Sequence, residues 1–114
     1  MDLSIRVRPG DDHALVSVGG EVDINSAPLL QQRLMHLLEG NESRLLVDLS
    51  GVTFIDCFAT RLLAEICRRA EGRPWSIRFV ALSEPVERLA ELTGLAGKLP
   101  LARPFAAARP SVEA

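Results

Sequence analysis

The run Leu45-Leu46-Val47-Asp48-Leu49 restricts the fold of this chain more than any other segment. An apolar stretch this short reads as a strand rather than a helix. With only one polar residue it suits a central strand covered on both faces. Such a strand, spanning Arg44 to Ser50, needs partner strands on either side and helices above it.

Those neighbours are legible on both sides. Leu3-Ser4-Ile5-Arg6-Val7-Arg8 alternates apolar and polar residues, as a half-buried strand does. Pro9-Gly10-Asp11-Asp12 is a turn cluster, and Ala14-Leu15-Val16-Ser17-Val18 is a second strand, so a hairpin is expected. Ser26 is placed to cap a helix from Ala27 to Glu39, with Pro28 tolerated in its first turn. Leu30, Leu34, Leu37 and Leu38 share one face of it, and Gly40 suits its C-terminal end.

A further helix is predicted from Cys57 or Phe58 to Glu71, with Leu63, Ile66, Cys67 and Ala70 inward and Gly72 and Pro74 stopping it. Trp75 to Leu82 reads as a strand. Ser83 is placed to cap a helix running through Thr93, with Val86, Leu89 and Ala90 inward. Gly94 suits a left-handed ending, with Leu95 packing back on Leu89 or Ala90. Leu99-Pro100-Leu101 is a candidate edge strand. The order β-β-α-β-α-β-α predicts an α/β fold: one domain over residues 1–101, a mixed, mostly parallel sheet with an N-terminal hairpin and right-handed crossover helices. Residues 102–114, rich in Ala, Arg and Pro, are expected to be a mobile tail.

Composition narrows the function. With 114 residues, 47% apolar and 25% charged, the chain is globular and large enough for a core without metals or disulfides. A net charge of −2, with acids and bases interspersed, leaves no electrostatic footprint for nucleic acid or an anionic membrane. No segment reaches the ~18 apolar residues of a membrane span. Met1-Asp2-Leu3-Ser4 lacks a signal-peptide pattern, so a cytoplasmic location is the default expectation. Cys57 and Cys67 on one helix would stand roughly 15 Å apart, too far for a disulfide. There is no CxxC or Cys/His cluster for a metal, no phosphate-binding glycine loop for a nucleotide cofactor, and no reason for His13 or His36 to meet Cys57. Neither catalytic residues nor a cofactor are therefore expected, and the chain reads as no enzyme.

Three fragments carry a family resemblance. Gly20-Glu21-Val22-Asp23 followed by Ser26-Ala27, then Val47-Asp48-Leu49-Ser50-Gly51-Val52-Thr53-Phe54-Ile55-Asp56, then Leu92-Thr93-Gly94-Leu95 occur in order and in register with the STAS domain of bacterial anti-sigma factor antagonists. The resemblance spans about Leu3 to Leu101. It implies a binding module whose partner is an anti-sigma factor of the serine-kinase type. In that family a Ser at the start of the helix after the central strand is phosphorylated, and the phosphate breaks the contact.

In this chain the position is Cys57, which a serine kinase cannot modify. The resemblance therefore implies an antagonist without the usual switch. Its contact surface is expected to include Asp23, Asp56, Cys57, Phe58, Ala59, Thr60 and Arg61. Strong thiol activation of Cys57 is not expected, because the helix N-terminus and the neighbouring Asp56 act in opposite directions. Phe58 stands where the family has a small polar residue, and reads either as packed on the helix or as an aromatic anchor for a partner. Thr60 is the nearest hydroxyl to the missing one. Asp48 reads as a local hydrogen-bond acceptor and Arg68-Arg69 as a solvated face. The alternative role is a STAS subunit of a lipid-transport ABC complex, docking through the same helix face.

Overall fold

The computed structural model describes residues 2–40 and 44–93. Seven elements follow the predicted order: β1 (Ser4–Pro9), β2 (Ala14–Val22), α1 (Ala27–Glu39), β3 (Arg44–Ile55), α2 (Cys57–Ala70), β4 (Ser76–Leu82) and α3 (Glu84–Thr93). The sheet order is β1-β2-β3-β4, with β1 antiparallel to β2 and the other pairs parallel. The ending at Gly94 and Leu95, the strand at Leu99-Pro100-Leu101 and the tail from Ala102 lie outside the described residues.

Because β2, β3 and β4 step across the sheet in one direction, right-handed crossovers bring α1 and α2 to the same face. That face holds the core. Leu30, Leu34 and Leu38 of α1 and Leu63 and Ile66 of α2 cluster with Val16 and Val18 of β2, Leu45, Val47 and Leu49 of β3, and Phe79 of β4. Leu46 and Asp48, on the other side of β3, are only half-buried. Full cover on both faces, expected from the apolar run, is therefore not what these residues have.

β2 and β3 run longer than the sequence pattern suggests. The register jumps between Ser17 and Gly19 and again between Gly20 and Glu21, and each time β3 carries one extra residue. Buried positions on β3 accordingly run 45, 47, 49, then 52 and 55. Gly20 sits between the two jumps with φ +89, and a Cβ there would collide with the Asp2 carbonyl oxygen. Only glycine meets both demands.

Two expected serine caps are not formed. Ser26 makes no side-chain cap bond to α1, because its hydroxyl is engaged within the preceding loop. Ser83 Oγ is buried with no hydrogen-bond partner among the described residues, and only its carbonyl serves α3, accepting from Glu87 N–H at 3.0 Å. Gly40 closes α1 with φ −87 rather than in the left-handed region, its N–H donating to the His36 and Leu37 carbonyls. Gly72, with φ +78, does end α2 in that region. Leu37, Cys67 and Leu89 pack on the core but stay partly exposed. Among the described residues no helix is long and apolar enough to cross a membrane.

Candidate functional site

The parallel strands β2 and β3 end side by side, with Val22 opposite Ile55. An aspartate follows each strand, and each organises the chain after it. Asp56 is the N-cap of α2: its Oδ1 accepts from Ala59 N–H at 2.8 Å. Its Oδ2 reaches into the other junction and accepts from Ile24 N–H at 3.0 Å. The Asp56 N–H donates to the Val22 carbonyl at 3.3 Å, and its carbonyl accepts from Thr60 N–H at 3.1 Å.

Asp23 acts inside its own loop. Its Oδ1 accepts from the Asn25 and Ser26 amides, both at 2.9 Å. This is an Asx turn, the loop chemistry aspartate favours. Ser26 Oγ accepts from Asp23 N–H at 3.0 Å and donates to the Glu21 carbonyl at 2.8 Å. The Ser26 amide, helped by Asn25, holds the Asp23 carboxyl below the usual carboxylate range against a smaller opposing effect of desolvation.

The residues expected at the contact surface divide in three. Cys57, Phe58 and Arg61 are exposed on the first turns of α2, with Phe58 40% exposed. Asp23 and Asp56 lie half-buried at the rim with carboxylates bonded to backbone amides. Ala59 and Thr60 are buried, Thr60 to 1% exposure, and the Thr60 hydroxyl donates to the Cys57 carbonyl at 2.8 Å. Neither side chain lies on the contact surface expected of it. Both belong to the underside of the turn, and Thr60 is inaccessible as a substitute for the missing hydroxyl while the turn is folded.

Two exposed residues at this end of the sheet were not among the expected contact residues, although Phe54 belongs to the motif that carries the resemblance. Ile24 is 58% exposed in the β2–α1 loop, and Phe54 is 48% exposed at the end of β3. With Phe58 they set three large apolar side chains at the junction end of the sheet. An isoleucine inside the polar loop Asp23-Ile24-Asn25-Ser26 is the signal that could have found the first of them.

Other candidate chemistry is dispersed. Both cysteines are free. Burial pushes the Cys67 thiol up to about 12, leaving it inert as a nucleophile. Asp48 Oδ1 accepts from Ser50 N–H at 2.8 Å, a local bond as expected. Arg68 forks onto Glu65 on the exposed face of α2, at 2.7 and 2.5 Å. An open groove of about 1110 Å³ runs between α1 and the N-terminal strand, lined by Leu3, Ile5, Leu29 and Arg33 among others. Of the expected contact residues only Asp23 borders it. The groove and the first turn of α2 are therefore separate features of the surface.

A family model described as "Mlab, STAS domain" matches residues 5–102. The anti-sigma-B factor antagonist of Bacillus subtilis (strain 168) is 27% identical over 95 residues, covering 83% of this chain and 86% of that protein. The crystal structure of an anti-sigma factor antagonist from Mycobacterium paratuberculosis superposes with a TM-score of 0.78 at 28% identity, covering 99% of this chain and 96% of that one. The anti-sigma factor antagonist SpoIIAA in its unphosphorylated form shares the fold, with a TM-score of 0.68 at 14% identity over 95% of this chain and 96% of its own. These relatives are regulatory proteins by name.

Proposed function

Because the chain belongs to the STAS-domain family, we propose that it is an anti-sigma factor antagonist that binds a serine-kinase-type anti-sigma factor and lacks the usual phosphate switch. It acts by binding and carries out no reaction of its own. The observation that carries this reading is the first turn of α2, where Cys57 and Phe58 are exposed at the end of the sheet that also exposes Phe54 and Ile24.

The reading is supported by chemistry as well as by kinship. A phosphate at the start of α2 would place about two negative charges beside Asp56 and among apolar side chains that must be desolvated on docking. A thiol at that position forms no phosphate ester with a serine kinase, so the apolar rim stays available whatever the state of the kinase. Binding then depends on the supply of the antagonist rather than on its modification. Cys57, Phe58 and Arg61 contribute from α2, and Ile24 and Phe54 flank them. The setting is the cytoplasm, where such a partner works.

Affinity capture from native lysate, with wild type, Cys57→Ser and Cys57→Asp as baits, tests this. A histidine-kinase-like ATPase should be held by wild type and by Cys57→Ser and lost with Cys57→Asp. With ATP present, Cys57→Ser should gain a phosphate and release the ATPase, while wild type does neither. Capture of lipid-transporter ATPase components alone would overturn the reading and assign the same surface to a transport assembly.

A further inference from the structure

Asp56 was expected to face a partner, yet every polar group it has is bonded within the chain. Oδ1 holds the Ala59 amide, Oδ2 the Ile24 amide, the backbone N–H the Val22 carbonyl, and the backbone carbonyl the Thr60 amide. The β2–α1 loop shows the complementary pattern. The amides of Asp23, Asn25, Ser26 and Ala27 bond to acceptors inside the loop, and that of Ile24 bonds outside it, to Asp56.

We infer that Asp56 is a positioning residue, a strut that joins the Ile24 loop to the first turn of α2 and so fixes the exposed Ile24 and Phe58 relative to each other before a partner docks. The partner meets these side chains with an apolar face and does not pair with the Asp56 charge. Locking a loop before docking removes an ordering cost that binding would otherwise bear. The part of the inference that concerns the partner rests on the proposed antagonist role. The strut itself is a property of the free protein.

Two substitutions separate the strut from the cap. In Asp56→Asn one oxygen still accepts from Ala59 N–H, and asparagine caps helices as well as aspartate does. The second atom becomes an NH₂ donor facing the Ile24 N–H, so the bond to Ile24 cannot form. In Asp56→Ser the hydroxyl can cap α2 but is too short to reach the other loop.

Amide hydrogen exchange on the ¹⁵N-labelled full chain reads the result residue by residue. The Ile24 amide should be protected in wild type and exchange on the order of ten-fold faster or more in both variants, with Ala59 protection and the melting temperature largely kept. An Ile24 amide that exchanges in wild type as freely as those of the Asp11-Asp12 turn, or that is equally protected in the variants, would overturn the strut. Affinity for the captured anti-sigma factor should fall about ten-fold in both variants, with the same loss at low and high salt. A loss that appears only at low salt, with Ile24 exchange unchanged, would identify Asp56 as a charged contact and overturn the inference. Failure of wild type to bind any anti-sigma factor would defeat the antagonist reading, and Ile24 exchange would still decide the strut.

Discussion

The two strand-to-helix junctions at the rim begin alike and end differently. Each starts with an aspartate after a strand, and the strands end as paired neighbours at Val22 and Ile55. The β2–α1 junction takes four residues, 23 to 26, and folds onto itself through Asp23 and Ser26. The β3–α2 junction is Asp56 alone. A single residue cannot make a self-contained turn, so Asp56 bonds forward into its helix and sideways into the other loop. The longer junction is built from local chemistry, and the shorter one depends on its neighbour. The shorter one also presents the exposed thiol and Phe58.

The sharpest contrast lies in binding. Phe58 and Leu29 are both exposed near the starts of their helices. Phe58→Ala should weaken binding to the captured anti-sigma factor by roughly 30-fold, about 2 kcal/mol, as a desolvated aromatic anchor does. Leu29→Ala should leave it within about two-fold. Equal effects in titration calorimetry would erase the distinction between the junctions.

Stability provides the next test. Asp56→Ala removes a cap and a bond between loops and should cost up to about 2 kcal/mol in urea unfolding. Asp23→Ala loosens one turn and should cost less by the same measurement. The reverse order would mean that the local turn, not the shared residue, holds the rim.

Thr60→Val keeps the shape of the buried side chain and deletes its bond to the Cys57 carbonyl. About 1 kcal/mol should be lost by the same measurement. No phosphate should appear on Thr60 when the folded protein is incubated with the kinase.

The smallest effect is one of pH. Folding lowers the Asp23 pKa, so the folded turn favours the charged carboxylate. Its contribution is complete above the ordinary aspartate range and is lost as pH falls through the lower folded value. Chemical shifts of the Asn25 and Ser26 amides should follow that acid titration, and Asp23→Asn should abolish it.

Much of the architecture was legible because it follows from local periodicity. The bounds of α1, the β1–β2 hairpin and the inward face of α2 at Leu63, Ile66 and Ala70 all match the apolar pattern. What was not legible depends on contacts between segments. Ser26 looked like a helix cap, but Asp23 and the Glu21 carbonyl compete for its hydroxyl. Thr60 looked available until α2 was seen to bury it. The bond from Asp56 to Ile24 crosses 32 positions of sequence, beyond the reach of any spacing rule. The far end of β3 was hidden because its alternation breaks twice.

Those two breaks behave like a pair of frameshifts. A strand repeats every two residues, so each insertion shifts which sequence parity faces inward, from odd to even at Val52 and back to odd at Ile55. Leu45, Val47 and Leu49 before the insertions and Ile55 after them therefore point into the same core, and Phe54 is left outside. Deleting Thr53 alone should remove the second insertion and leave Phe54 opposite Glu21 and Ile55 opposite Val22, with their faces unchanged. The faces at this end of the molecule are thus set by pairing with β2 and not by residue count along β3.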